Sequence, residues 1–170
     1  MLILAGKLRE LSFGQLMEIY AEDNLEKGRE LAPEESEARQ TALGEQDFYQ
    51  YLDQIFFRTP GAVYAVWEEA GIYVSALRLE PYRDGLLLEA LETRPDRRRQ
   101  GFAGALVQAV LARMGDAKIY SHVDKRNLAS LRTHESCGFR KILDYAVYAD
   151  GSVLPHMDTL RWWEDPACSE

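Results

Sequence analysis

The chain has 170 residues, enough for one domain with a sizeable core, and it carries a formal net charge of −8. That acidic balance argues against bulk nucleic-acid binding, which requires a broad basic surface. No apolar run approaches the roughly 20 residues of a membrane-spanning helix, and the opening MLILA is too short for a signal-peptide core. We expect a single domain over residues 1–170, located in the cytoplasm, with no membrane partner and with reduced cysteines.

The first third of the chain predicts a strand followed by helices. A loosely alternating strand is expected over 2–9, and Ser12 is a plausible cap for the helix that follows. The acidic stretch 22–37 is interpreted as a loop or mobile connection. Helical spacing resumes after Pro33 and runs to Phe56, with Gly44 as a candidate break.

Three strands come next. Segments 63–67 and 72–79 are rich in β-branched and aromatic residues and flank a hairpin turn. Segment 86–93 is nearly all apolar apart from Glu89 and Glu92, as expected for a central strand covered on both faces.

The second half alternates helices with strands. Apolar spacing predicts helices over 102–114 and 127–137, and strands are expected over 119–123, 139–148 and 156–163. Right-handed crossovers would make neighbouring strands parallel there, whereas the earlier hairpins are antiparallel. The sequence therefore predicts an α/β (α+β) fold, a mixed central sheet with helices on both faces.

A basic glycine turn separates the central strand from the helix after it. Residues 94–99 carry four arginines and one aspartate, a net charge of +3, and Gly101 and Gly104 open the helix. A helix N-terminus offers unpaired N–H groups and a positive dipole end. An anion, most naturally a phosphate group, is the expected occupant.

With these elements in place, the chain resembles the GNAT family of N-acetyltransferases along nearly its whole length. The family signature [Q/R]-x-x-G-x-[G/A] is met by Arg98-Arg99-Gln100-Gly101-Phe102-Ala103. A second family element, an Asn followed eleven and twelve residues later by Gly-Phe, is met by Asn127 and Gly138-Phe139.

The resemblance implies acetyl-CoA as cofactor and a set of residues that bind it. The glycine turn would hold the pyrophosphate, and the preceding strand would pair with the pantetheine arm and polarise the thioester carbonyl. Three residues on one face of the helix after Asn127 would complete the site. The implied cofactor residues are Leu91, Glu92, Thr93, Arg98, Arg99, Gln100, Gly101, Phe102, Ala103, Gly104, Asn127, Ser130 and His134. No metal is expected.

Acetyl transfer to an amine needs a proton acceptor and a proton donor, and four residues are candidates. His134 occupies the position of the family's thiolate-protonating tyrosine, so it is either the acid, a CoA contact or a histidine of local structure. His122 is either the base or an exposed strand histidine. Glu89 and Glu92 are either catalytic carboxylates or partners of Arg78 or Arg94.

The expected function is direct acetyl transfer to a primary amine of a small molecule or peptide. The main alternative is a GNAT-fold module that binds CoA or acyl-CoA without efficient catalysis. A nucleotide-phosphate binder ranks lower, because the turn lacks the Lys-Ser/Thr of a phosphate-binding loop. Tryptophans near the C-terminus would suit a homodimer contact, and Cys137 is interpreted as a small apolar residue rather than a nucleophile.

Overall fold

A computed structural model describes residues 1–163 of the chain, and its centre is a seven-stranded sheet of order β1-β2-β3-β4-β5-β9-β6. Only β4 and β5 pair in parallel; the other neighbours are antiparallel. Two further short strands, β7 and β8, pair with each other. The strands are β1 (Leu2–Ala5), β2 (Val63–Glu69), β3 (Ile72–Tyr82), β4 (Gly85–Thr93), β5 (Lys118–Asp124), β6 (Arg140–Leu143), β7 (Ala146–Val147), β8 (Val153–Leu154) and β9 (Met157–Trp162).

Five α-helices cover the two faces of this sheet. They are α1 (Phe13–Ile19), α2 (Ala21–Leu31), α3 (Glu37–Gln54), α4 (Phe102–Met114) and α5 (Leu128–Ser136). Side chains of α1 and α3 pack with Tyr64 and Ala76 in one buried cluster, and side chains of α4 pack with Leu77 and Leu88 in another. The predicted mixed sheet with helices on both faces is therefore confirmed.

The interpretation of residues 22–37 as a loop is wrong, because most of that stretch forms α2. The reason is a tertiary contact: α2 packs along α3 at backbone distance. A Cβ on Gly28 would lie 1.8 Å from the Gln40 carbonyl oxygen, and one on Gly44 would lie 1.8 Å from that of Asn24. Only glycine permits this approach. Gly44 therefore does not break the helix, and α3 runs through it without interruption.

Smaller differences concern the ends of the chain. The first strand stops at Ala5, and Leu8–Glu10 forms a 3-10 turn instead of continuing it. The strand expected over 139–148 is divided into β6, which pairs with β9, and β7, which pairs with β8 in a separate two-stranded ribbon. Within residues 1–163, no helix combines the length and the apolar character needed to cross a membrane. Cys168 lies outside the described residues.

Candidate active site

The central feature of the candidate site is a gap between β4 and β5. The two strands pair only from Gly85 opposite Lys118 to Leu88 opposite Ser121, and beyond that point they separate. A register shift between β3 and β4 accompanies the separation, and Ala90 within it has φ +50. Such a bulge bends a strand. The β5-facing backbone groups of the following residues are consequently left for another extended, amide-bearing partner.

The turn that follows β4 exposes the start of α4. Gly101 caps α4 in the left-handed region with φ +84, and Arg99 also has a positive φ of 64. Ala105 N–H donates to Gly101 O at 3.0 Å, so the N–H groups of the first helical turn have no acceptor inside the helix. An added Cβ at Gly101 or Gly104 would meet no heavy atom within 4 Å. This open helix start has the geometry of a phosphate site.

A cavity of about 500 Å³ runs from the strand gap to this turn. It contains eleven of the thirteen residues predicted to bind cofactor; Gln100 and His134 do not line it, whereas Ala129 and Thr133 do. The lining residues from the prediction are Leu91, Glu92, Thr93, Arg98, Arg99, Gly101, Phe102, Ala103, Gly104, Asn127 and Ser130. Asn127 also caps α5, since its Oδ1 accepts from Ser130 N–H at 3.1 Å. The turn, the strand and α5 are thus brought together as the sequence predicted.

Arg98 is the cation most firmly fixed in this cavity. Its two terminal nitrogens donate to the two carboxylate oxygens of Glu22 on α2, at 3.2 and 2.8 Å. Glu92 lies 3.7 Å away from the same guanidinium. Arg98 therefore links the cofactor turn to α2, a contact that the predicted loop gave no reason to expect.

The four catalytic candidates lie around a second cavity, of about 220 Å³, inside the strand gap. Its walls include Glu89 and Glu92 from β4, His122 from β5 and His134 from α5. The structure thus brings together acid–base candidates that are up to 45 residues apart in sequence.

His134 is almost fully buried and held at both ring nitrogens. Nδ1 lies 2.8 Å from the Ser130 carbonyl oxygen, so Nδ1 carries a proton. Nε2 lies 2.9 Å from Ser121 Oγ, whose single proton can be donated either to Nε2 or to Leu88 O at 3.1 Å. Burial lowers the pKa of His134, and the Ser130 hydrogen bond opposes that shift only in part. His134 is accordingly a neutral Nδ1–H imidazole in the resting protein.

His122 has a different environment, an aromatic cage. Its ring stands edge-on to Tyr82 and Tyr148, with centroids 5.4 and 4.7 Å away. Both ring nitrogens are buried without a hydrogen-bond partner among the described residues. Burial, assisted by Arg83, lowers the pKa of His122 to about 4. A base that must hold a proton near neutral pH needs a higher value.

The pKa values of the two carboxylates are shifted upward, in contrast to that of His122. Burial, reinforced by Glu80, raises the pKa of Glu89 to about 7. Burial, reinforced by Asp23, raises that of Glu92 to about 7 as well. Both groups therefore exchange protons near neutral pH.

The structure also shows how these carboxylates are paired. Glu92 approaches Arg98 rather than Arg94, which pairs with Glu18 at 3.0 Å and with Asp96 at 2.7 Å. Glu89 lies opposite Arg78 in the β3–β4 ladder without forming an ion pair.

Several residues that line the two cavities were not predicted from sequence, Ser121 and Thr133 among them, and the reasons differ. Ser121 is one serine in a strand, and only its contact with His134 in the folded protein identifies it as a site residue. Thr133 lies on the cofactor side of α5, which a complete helical projection of 127–137 would have indicated.

Cys137 is half-buried with its thiol pKa raised by burial, as suits a residue that is not a nucleophile. Within residues 1–163 no cluster of three or more His, Cys, Asp or Glu side chains could hold a metal ion.

Comparison with known proteins completes the description. A sequence profile of the acetyltransferase (GNAT) family matches residues 16–139. No curated protein matches the sequence as a relative.

Several solved structures share the fold at low sequence identity. The PaiA N-acetyltransferase of Thermoplasma acidophilum, in complex with coenzyme A, is 11% identical with a TM-score of 0.58, over 96% of this chain and 99% of that one. IAA acetyltransferase from Bacillus cereus is 12% identical with a TM-score of 0.57, over 96% and 100%. A chimera of the Vibrio cholerae spermidine N-acetyltransferase SpeG is 19% identical with a TM-score of 0.56, over 95% of each chain.

Proposed function

Since this chain belongs to the GNAT acetyltransferase family, whose members use acetyl-CoA, we propose that it transfers the acetyl group directly to a primary amine of a small molecule or peptide. One observation carries the proposal: the gap between β4 and β5 joins the open start of α4 to a cavity lined by titratable groups. A site built only to bind a cofactor would have no need for a carboxylate that titrates near neutral pH beside the gap.

The turn 98–104 and the strand residues 91–93 are proposed to hold the cofactor. First-turn N–H groups of α4 bind the pyrophosphate, and the β5-facing backbone of 91–93 binds the amides of the pantetheine arm. Bound in this way, acetyl-CoA supplies the activated acyl group. An N–H of the strand directed at the thioester oxygen stabilises the negative charge that develops there.

Glu89 is proposed as the base that takes a proton from the acceptor's ammonium group, which frees the neutral amine to attack the thioester. Its raised pKa matches the task, and it lies on the wall of the gap without an ion-pair partner. Glu92 has a similar pKa, but it lies beside Arg98, which also pairs with Glu22. That contact holds Glu92 at the cofactor turn. His122 is too weakly basic at a pKa of about 4.

Ser121 and His134 are proposed as the pair that returns a proton to the leaving sulfur. Neutral His134 presents Nε2 to Ser121 and so has no donor of its own toward the gap. When His134 is doubly protonated, its Nε2–H would give a proton to Ser121 Oγ as the Oγ proton passes to the departing thiolate. The imidazole is then neutral, and it takes up a proton from solvent before the next turnover.

The test measures release of free CoA thiol from acetyl-CoA with a panel of polyamines, amino acids, aminoglycosides and peptides. Release with at least one amine class, and its loss in Glu89→Gln, supports the proposal. Acetyl-CoA should also raise the melting temperature, and Gly101→Asp should abolish that rise because it places a carboxylate at the anion site. Binding without release for every amine would favour a non-catalytic CoA-binding module, and an unchanged melting curve at millimolar acetyl-CoA would refute the cofactor site.

A further inference from the structure

A third cavity, of about 320 Å³, lies beside the bulge on the sheet face that α1–α3 cover. Its volume is within the range of small-ligand sites. α2 and α3 form most of its wall, and Arg78 and Ala90 contribute from the sheet. Ala90 also lines the cavity in the strand gap, so the two cavities adjoin at the bulge. Tyr20 Oη donates to Ala90 O at 2.8 Å and fixes the bulge between them.

Arg78 has no polar partner in this cavity. Its Nε is buried without a hydrogen bond, and no carboxylate of the described residues lies within 4.0 Å of the guanidinium. The guanidinium lies instead against aromatic rings, with Cζ 4.9 Å from the centroid of Tyr51 and 5.8 Å from that of Phe56. Arg94 and Arg98, by contrast, each form an ion pair with a carboxylate.

Aromatic contact does not provide hydrogen-bond acceptors for this half-buried guanidinium. Cation–π attraction compensates part of the lost hydration, but an aromatic ring does not accept the two parallel N–H bonds that a guanidinium can donate. A half-buried arginine without an ion-pair partner suits an anion, and a carboxylate matches its planar geometry with two parallel hydrogen bonds.

The remaining charges of the cavity fit an acceptor that carries both signs. Asp23 and Asp47 line it as well, and burial raises the pKa of Asp23, as expected for a carboxylate without a cationic partner. Lys27, the other cation, is engaged by Glu30 at 3.5 Å. Arg78 is thus the cation left for a ligand, while the negative field of the two aspartates favours entry of an ammonium group on its way to the gap.

We propose that this cavity is the acceptor site and that Arg78 binds a carboxylate of the acceptor, which makes the substrate a small amino acid rather than a simple amine or polyamine. The inference rests on the proposed acetyltransferase function. The acceptor carboxylate takes both guanidinium hydrogen bonds, and the amine extends past Ala90 toward Glu89 and the strand gap.

The first arm of the test uses the unaltered protein with saturating acetyl-CoA. Thiol release is measured with α-, β- and γ-amino acids, each paired with its own carboxamide. The carboxamide has the more reactive amine, because its amino pKa is lower, so a preference for the acid reports binding. We expect kcat/KM for the preferred acid to exceed that for its amide by 30-fold or more. Equal values, or a preference for amides, would overturn the inference.

The second arm compares Arg78→Gln with Arg161→Gln. Arg161 is the matched control, because its Nε is also buried without a partner and its Cζ lies 3.7 Å from the centroid of Trp163, yet it does not line the cavity. Arg78→Gln should lower kcat/KM about 30-fold more for the acid than for the amide and leave acetyl-CoA affinity within twofold. The ratio of the two is the readout, because Arg78 also lowers the pKa of Glu89 and its loss acts on both substrates alike. Equal loss for acid and amide would contradict a carboxylate contact. If the variant does not fold, the first arm decides.

Failure of the inference can be separated from failure of the proposed function. If no amine releases CoA, the same acids and amides are added to the CoA-saturated protein and melting temperature is measured. A rise that requires the carboxylate and disappears in Arg78→Gln would support the Arg78 site without catalysis. No rise with any acid would overturn it.

Discussion

Neutralising Glu22 should tighten cofactor binding, although it removes two hydrogen bonds from the folded protein. Glu22 occupies the terminal nitrogens of Arg98, a residue of the cofactor cavity, so it competes with pyrophosphate for the same cation. Its side chain is 64% exposed, and such surface pairs contribute only about 0.2–1 kcal/mol. Releasing Arg98 should therefore lower the Kd of acetyl-CoA by a factor of about two to five.

The assay is isothermal titration of CoA into the parent, Glu22→Gln and Glu18→Gln. Glu18 is the matched control, since it pairs with Arg94, which lies outside the cofactor cavity. The gain in Glu22→Gln should shrink at 0.5 M salt, where the Debye length is only a few ångströms. Weaker binding in Glu22→Gln would refute the competition and would mean that Glu22 positions Arg98 for the cofactor.

Three further predictions concern the catalytic groups and the turn. Glu89→Gln should lower kcat about 100-fold, and the turnover that remains should lack the acid limb near pH 7. Because the raised pKa of Glu89 means that its ionisation opposes folding, the variant should be more stable than the parent at pH 8 but not at pH 4, as measured by denaturant titration. Ser121→Ala should lower kcat at least tenfold and shift the NMR titration of His134. Ser130→Ala removes only a long 3.4 Å contact of Ser130 Oγ with Nδ1 and keeps the 2.8 Å bond to the carbonyl, so it should shift that titration less. An equal shift in both variants would contradict the relay. Gly101→Ala should lower the free energy of unfolding by about 1–2 kcal/mol, because φ +84 is unfavourable for alanine. An unchanged urea midpoint would refute this prediction.

Features fixed by local chemistry were predictable from the sequence. Gly101 is required where the chain turns into α4 with a positive φ, and Asn127 caps α5 through an atom three residues from its partner. Both constraints act within one turn of chain, so a short pattern contains them. The strand 86–93 was recognised for the same reason, because its apolar run is continuous.

Features that depend on distant contacts were not predictable. α2 is mostly charged and reads as a loop, and its backbone contact with α3 through Gly28 and Gly44 is invisible in a one-dimensional pattern. The contact between Glu22 and Arg98 joins residues 76 positions apart. The low pKa of His122 likewise follows from burial, which sequence alone does not report.

The contact between α2 and α3 has a consequence for how the choice of acceptor can change. A methyl group at either glycine would force the two helices apart by more than an ångström, because 1.8 Å is far inside van der Waals distance. Gly44 lines the cavity that contains Arg78, whereas Gly28 does not. A single methyl at position 28 would therefore displace α2, which carries Asp23, from α3, which carries Asp47, and leave Arg78 on the sheet in place. The spacing of the acidic groups in the cavity is thus set by a glycine that does not line it, and a change at that glycine would alter which acceptors fit without removing the cation that binds their carboxylate.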